Sequence, residues 1–594
     1  LWITSEDNSP YLGCYGDSLA HTPNLDRLAS EGVRFTHAFA NAPVCSSARS
    51  TLITGMYSMS LGIHHHRSGH PVPEAFKPYP IYLRQAGYTC TNNHKKDYNL
   101  IDDFNCWHES SRTAHYKDRD PGVPFFAVFN LGESHESSTF PEVVEKRRQS
   151  GAYPRKSRVR PEEIRLPPYH PDLPEIRQEW ADYYDAVTLM DRKAGAILKE
   201  LEASGEAENT IVFYFSDHGG GLARGKRFVY DTGTRVPMII RFPEKWKHLA
   251  PAEPGATVDR MVGFVDLPAT LLSLVGAPIP AHMHGRPFLG DQAGEPRTQV
   301  LLYRGRMDSR YDIVRAVRDK RYRYIRNYSP HRPYGQPYTY AQNSRTTPAW
   351  RKAYREGKCS PIQSIYWEMK PGEELYDCEN DPWEVDNLAA DPQHAGRLAA
   401  MRRTLHRELL EVGDTGFVPE AMFDLLAGGK TIYDFIRSDA CELPRVKAMA
   451  DRATSRDVAH LMALIQGMED PNPLIRYWAA IGAVVLREKA ALARDRLTRL
   501  LKDDVPNVRI AAAEALGLMG DPKTAVEALA GELDYERSKV EAHYVYAANA
   551  LQYLDESSVR ILKPRLKEIA EDERYGNACR TAGYLVEHLE SLGY

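Results

Sequence analysis

The 594-residue sequence has no CxxC pair, no surplus of positive charge, and no uncharged apolar run near the roughly 18 residues that cross a bilayer. Each absence removes a class. Eight cysteines (Cys14, Cys45, Cys90, Cys106, Cys359, Cys378, Cys441, Cys579) scattered without CxxC spacing disfavour a structural zinc site or a dense disulfide scaffold. One or two bridges or free buried thiols stay open, with Cys359 and Cys378 the nearest pair outside the amino-terminal region. The most apolar stretch, MVGFVDLPATLLSLVG, carries Asp266 and Pro268, so a soluble chain without a membrane span is expected. Lys plus Arg number 76 against 80 Asp plus Glu, a net charge of −4, which argues against a nucleic-acid partner held by global charge. Any anion specificity must be local. The chain opens on LWITSEDN with neither initiator Met nor leader, so a signal peptide or the start of the first strand is expected upstream.

What is present points to several folded units, as expected at this length. Up to about residue 300, short apolar strands (LWITS, PFFAVFNLG, TIVFYFSD, VPMIIRF) alternate with helical segments, predicting a mainly parallel sheet flanked by helices in an α/β unit, 1–300. Thr22 and Pro23 start the first helix, with Gly32 as its C-cap, and Glu175 to Gly205 has helical apolar spacing. Residues 301–435 read as a smaller antiparallel-sheet subdomain. In 436–594 strands vanish: DPNPLIRYWAAIGAV and DVPNVRIAAAEALGL superpose at an offset of 33, Arg476 on Arg509, and the pattern returns in YVYAANALQYL. Repeated helical pairs of this period predict an all-α, HEAT-like solenoid that mediates oligomer or protein contact or props the rest.

The chemistry-bearing residues collect at strand ends, where α/β sheets bind ligands. Glu6 and Asp7 end the first strand, and Asp217 and His218 end TIVFYFSD before a glycine run that permits close backbone approach. Two acidic strand ends in one sheet favour a cation; the oxygens suit Ca²⁺ or Mg²⁺, and a histidine ligand shifts the balance toward Mn²⁺ or Zn²⁺. Arg49 lies one helical turn after Cys45, with Lys95 in TNNHKKDYN and Lys226 in ARGKRFVYD. Taken singly each base is a surface charge; gathered beside a metal they imply a tightly held tetrahedral anion. His135, in FNLGESHE, is a core histidine or a proton donor to a leaving group.

The run CSSAR, the opening SED…GCYGD…TPNLDRLASEGVRFTHAFA, the SDHGG strand end, GTRVP and ELYDCENDPWEVDNLA together resemble a formylglycine-dependent type I sulfatase of the alkaline-phosphatase superfamily, nearest its sulfamidase-like branch, over roughly residues 1–430. The resemblance implies that Cys45 is oxidised to formylglycine by a sulfatase-maturating enzyme. One oxygen of the aldehyde hydrate would attack sulfur and expel the alcohol or amine, and the second hydroxyl would then expel sulfate, an escape serine lacks. It further implies that Glu6, Asp7, Asp217 and His218 hold Ca²⁺ (Mn²⁺ or Mg²⁺ as alternatives), that Arg49 stabilises the hydrate, that Lys95 and Lys226 grip the sulfate, and that His135 protonates the leaving group. Arg235 braces its loop.

Four positions depart from the family pattern: Ser47 where Pro or Ala is usual, Asp97 where a histidine contacting the hydrate is usual, and Glu6 and His218 where Asp and Asn are commoner. The internal run GIHHHRSGH offers His64, His65 and Arg67 to a sugar subsite, with a plain loop as the alternative. Tyr322 to Tyr340 reads as a solvated loop, or as a glycan wall if its arginines and tyrosines face a cleft. The expected activity is hydrolysis of sulfate esters or sulfamates on a sulfated carbohydrate, in a secreted or periplasmic protein. The alternatives are a phosphonate or phosphate ester hydrolase of the same superfamily and a non-catalytic sulfated-glycan-binding pseudo-sulfatase.

Overall fold

A computed structural model describes residues 1–535 and 540–594. Eight strands form the larger sheet: β1 (Trp2–Ser5), β2 (Val33–Phe39), β3 (Thr89–Asn93), β4 (Glu109–Ser110), β5 (Phe125–Leu131), β6 (Val212–Ser216), β7 (Arg235–Arg241) and β8 (Thr257–Gly263). Their order is β4-β3-β5-β1-β6-β7-β2-β8, parallel except for β7, which runs against both β6 and β2. The apolar runs became strands because both faces are covered, as parallel sheets require. Every residue of β1 and β6 is buried, and the helix Pro174–Ala203 lays Trp180, Val187 and Met190 into the core on one face.

The first helix, Pro23–Glu31, has the expected ends by different means. Thr22 makes no cap bond; its hydroxyl accepts from Gly13 N (2.9 Å) and donates to Asp26 (3.1 Å). Gly32 is extended, and a Cβ there would lie 2.6 Å from the Ile240 carbonyl oxygen, so close strand packing explains the glycine.

A second, antiparallel sheet follows, ordered β12-β11-β10-β9 from β9 (Val300–Arg304), β10 (Val314–Arg318), β11 (Tyr322–Asn327) and β12 (Glu373–Asp377). Tyr322 to Tyr340 is therefore not a solvated loop. Its first residues are β11, and Tyr328, Tyr334 and Tyr338 are buried. Its arginines can be buried because carboxylates from other parts of the chain meet them: Arg323 pairs with Asp231 and Glu384, and Arg332 with Glu514.

The carboxyl-terminal helices stack as expected, and the 33-residue repeat is a repeat of contacts. Arg476, in Pro473–Leu486, binds the Asp503 carboxylate and the carbonyls of Asp470 and Pro471. Arg509, in Pro506–Leu518, binds the Glu532 carboxylate and the carbonyls of Asp503 and Asp504. The helices share one hydrophobic core with the antiparallel sheet, in which Val317, Tyr324 and Leu375 meet Val446, Leu464 and Trp478. All eight cysteines are free, so Cys359 and Cys378 form no bridge. Among the described residues no helix is long and apolar enough to cross a membrane.

Candidate active site

Four adjacent parallel strands deliver the site from their carboxyl ends: β3 leads to Lys95, β5 to Asn130 and His135, β1 to Glu6 and Asp7, and β6 to Asp217 and His218. The β1–β6 register sets Ser5 beside Ser216, which places the two acidic ends together; Asp7 N donates to Asp217 Oδ1 at 3.1 Å. Cys45 is the first residue of the helix Cys45–Thr54, every residue of which is buried. Its sulfur lies 3.7 Å from Asp7 Oδ1, 3.3 Å from His218 Nε2 and 3.6 Å from Lys226 Nζ.

Each base donates to an acid of the cluster. Arg49 Nε donates to Asp217 Oδ2 (3.1 Å), Lys95 Nζ to Glu6 Oε2 (2.7 Å) and Lys226 Nζ to Asp7 Oδ2 (2.8 Å). His135 Nε2 lies 3.4 Å from Lys226 Nζ and 4.0 Å from Glu6 Oε2. All nine residues expected to bind metal, bind sulfate or react are thus in one cluster. The lone bases are not solvated surface charges, because buried carboxylates hold them.

The charges follow from this pairing. Burial favours protonated Asp7, but Lys226, His218 and His135 outweigh it and hold the carboxyl well below its usual range. Asp217 is likewise buried, and His218, Arg49 and Lys95 hold it down at about 2. Burial opposes charge on His218, yet Asp217 and Asp7 raise it to about 10, since its Nε2 lies 2.9 Å from Asp7 Oδ1. Despite burial, Asp7 and the Cys45 sulfur hold Lys226 well above its usual value. Burial and the Lys226 charge push His135 down.

A divalent cation fits the acidic half. One ligand atom each from Asp7, Cys45, Asp217 and His218 lies within 4.8 Å of all the others, as do those of Glu6, Asp7, Cys45 and His135. His218 Nδ1 lies 2.9 Å from Gly219 O, which leaves Nε2 to face the acids, where a cation would replace the proton. Three carboxylates balanced by three cations leave the protein groups neutral, so a divalent cation would make the site attractive to an anion. Arg49 Nη2, buried without a partner, is free to donate to a group bound in the site.

The remaining expected residues divide. Asp97 lies at the rim, 3.7 Å from Lys95 and 3.5 Å from Arg67, whose side chain is 62 % exposed. His64 and His65 do not line an open subsite. Both are buried, their rings 4.1 Å apart; His65 Nδ1 accepts from Arg306 N (2.9 Å), and burial holds its pKa down at about 3. Their neighbour His66 pairs instead with Asp308 at 3.0 Å. Asp308 also meets Arg227 (3.4 Å), Arg227 binds Glu136 (2.7 and 2.8 Å), and Glu136 N donates to Asp7 Oδ2 (2.7 Å). Sequence reasoning missed His66, Arg227, Glu136, Asp308 and Asn130; the adjacency of Arg227 to Lys226 and of Glu136 to His135 was the available signal. The glycine run packs against protein: a Cβ on Gly221 would be 3.0 Å from Glu136 and 3.3 Å from the Asp7 Cβ. Ser47 is satisfied in the core by the Ser58 hydroxyl at 3.0 Å. Arg235 braces β2 through the Thr36 carbonyl (2.9 Å).

Fold and site define an α/β protein with a metal-compatible acidic cluster beside three bases. Comparison with known proteins agrees. The family model "Sulfatase" matches residues 1–277, "N-sulphoglucosamine sulphohydrolase, C-terminal" matches 223–336, and "HEAT repeats" matches 461–548. An ulvan-active sulfatase of Formosa agariphila is 36% identical over 459 residues, covering 71% of this chain and 76% of that protein. Human N-sulphoglucosamine sulphohydrolase is 24% identical over 470 residues, covering 70% of this chain and 90% of that protein. The chain belongs to the sulfatase family, the sulfuric ester hydrolases. Among solved structures, a 2-O glycosaminoglycan sulfatase shares the fold with a TM-score of 0.51 at 19% identity, over 70% of this chain and 92% of that one. A phosphonate monoester hydrolase of Agrobacterium radiobacter does so with 0.50 at 18%, over 69% and 95%.

Proposed function

We propose that this sulfatase removes sulfate from a sulfated carbohydrate, using formylglycine made from Cys45 and a divalent cation held by Glu6, Asp7, Asp217 and His218. The observation that carries the reading is the buried Cys45 sulfur, within 3.7 Å of Asp7, His218 and Lys226 at once. A plain thiol has no need of a cation site on one side and a lysine on the other. Carboxylate oxygens favour Ca²⁺, with Mn²⁺ and Mg²⁺ the competitors that His218 makes worth testing. When bound, the cation supplies Lewis-acid polarisation, and the formylglycine hydrate supplies the nucleophile.

The chain's own residues do the rest. Lys95 and Lys226 bind sulfate oxygens from two sides and stabilise charge as it builds, and Arg49 offers its free Nη2 to the nucleophile. His135 takes a proton from solvent and passes it to the departing oxygen or nitrogen, while Lys226, 3.4 Å away and held charged by Asp7, stays an ammonium.

Cys45 is 2% exposed in a fully buried helix, so the maturating enzyme must meet the chain before it folds. A polysaccharide substrate places the protein outside the cytoplasm, secreted or periplasmic. The relatives' names motivate the first substrates to test: ulvan oligosaccharides for ester cleavage, N-sulphoglucosamine for sulfamate cleavage, and 4-nitrophenyl sulfate against a phenyl phosphonate monoester for the superfamily alternative. Release of inorganic sulfate from a carbohydrate ester supports the reading. Turnover of the phosphonate alone overturns it, and binding of the glycans without turnover by protein carrying formylglycine indicates a pseudo-enzyme.

A further inference from the structure

We propose that the helical repeats complete the substrate cleft by supplying Arg580 as a distal anion subsite, for a second acidic group on a sugar neighbouring the one that loses sulfate. The proposal rests on the carbohydrate-sulfatase reading above. Arg580 lies near the start of the last helix, Asn577–Ser591, and its side chain is 50% exposed. That helix is fastened to the loop after β9. Thr581 Oγ1 accepts from Arg310 and donates to Ser309 O at 3.3 Å, and in the preceding repeat Asn549 Nδ2 donates to the same carbonyl at 2.8 Å. The loop carries Asp308, and Arg580 approaches Asp308 Oδ1 at 4.0 Å.

Direct contacts lead from there to the nucleophile: Asp308 to Arg227 at 3.4 Å, Arg227 to Glu136 at 2.7 Å, Glu136 to Lys226 at 4.0 Å, and Lys226 to Cys45 at 3.6 Å. Arg580 is therefore joined to the site through a chain of buried ion pairs, and it shares Asp308 Oδ1 with His66, the residue before Arg67. Arg67 lies between that place and the site, since it follows His66, the partner of Asp308, and meets Asp97, which lies 3.7 Å from Lys95. The Asp308 carboxylate is already engaged by His66 and Arg227, so the Arg580 guanidinium is surplus to its needs. Arg67 is likewise held only by a 3.5 Å contact to Asp97. Two exposed guanidinium groups near the buried His66–Asp308 pair offer an outer anion grip, and arginine suits both sulfate and carboxylate.

The test compares Arg580→Ala and Arg580→Lys with wild type on ulvan oligosaccharides and on 4-nitrophenyl sulfate, with thermal melting as a check of folding. The selectivity ratio, kcat/KM for the oligosaccharide over that for the aryl sulfate, should fall about tenfold in Arg580→Ala, through KM, and recover partly in Arg580→Lys. The salt dependence of the oligosaccharide KM should weaken in parallel. Oligosaccharides with carboxylates reduced to alcohols separate the two sources: if wild type keeps its selectivity on them, the second group is a sulfate, and if it loses selectivity to the level of Arg580→Ala, a carboxylate. A selectivity ratio within twofold of wild type in Arg580→Ala overturns the subsite. Wild type that cleaves 4-nitrophenyl sulfate and no glycan overturns the carbohydrate reading itself, which is visible before any variant is made.

Discussion

The Lys226 ammonium donates to Asp7 Oδ2 at 2.8 Å and lies 3.6 Å from the Cys45 sulfur, so one buried cation joins the acidic cluster to the reactive position. Removing it should have two separable effects. Lys226→Ala strands a buried carboxylate, costing about 3–5 kcal/mol of stability in metal-free protein, and a divalent cation should restore part of that. Turnover of 4-nitrophenyl sulfate should fall about 100-fold or more even with metal present, since the sulfate grip is lost. Denaturant titration with and without Ca²⁺, beside steady-state rates, separates the two.

Chelation should abolish turnover and lower the melting temperature, because the charges of Asp7 and Asp217 are then offset by His218, Arg49 and Lys226 without the cation. Re-addition of Ca²⁺, Mn²⁺ and Mg²⁺ in turn, read by melting temperature and rate, ranks the ions. Unchanged melting and rate after exhaustive chelation would contradict the acid-cluster assignment.

His65 should make the fold acid-sensitive. Its folded pKa is depressed from 6.5 to about 3 by burial, so as pH falls below about 6.5 the unfolded chain takes a proton that the folded chain refuses. This contribution is absent above pH 6.5 and costs about 1.4 kcal/mol per pH unit as pH falls toward about 3. His65→Asn, which keeps an acceptor for Arg306 N, should flatten that slope in urea titrations across the range.

The repeats should not be removable. Truncation after residue 440 would expose Val317, Tyr324 and Leu375 and strand Arg332 without Glu514, so the product should be insoluble or molten. Arg332→Ala alone should cost about 3–5 kcal/mol, and Arg332→Met with Glu514→Gln should recover most of it, both measured by denaturant unfolding. A soluble, cooperatively melting truncation would show that the repeats are an independent unit.

Strand ends were the most legible part of the sequence. Glu6, Asp7, Asp217 and His218 follow apolar runs long enough to read as strands, and parallel packing converts that pattern into one edge of a sheet. Lys95, His135 and Lys226 carried enough motif context to be placed in the same cluster. The histidine run was legible only as a run. Nothing local says that His64 and His65 turn inward while His66 meets Asp308, because that depends on a partner 242 residues away, as with Asp308 N and His66 Nδ1. Glu136 and Arg227 were hidden for the same reason, each lying beside the residue that was read. Tyr322 to Tyr340 looked solvated because its arginines were counted as charge, whereas Asp231, Glu384 and Glu514 allow them to be buried.

The central claim is that Cys45 is no longer a cysteine in the mature enzyme. It is tested most directly by mass spectrometry of the tryptic peptide Phe35 to Arg49, from protein made in a host with the native maturation system. The account predicts a peptide in which the –CH₂–SH side chain has become –CHO, at a fraction that tracks specific activity on 4-nitrophenyl sulfate. A fully active preparation whose peptide carries only the unmodified thiol would contradict it.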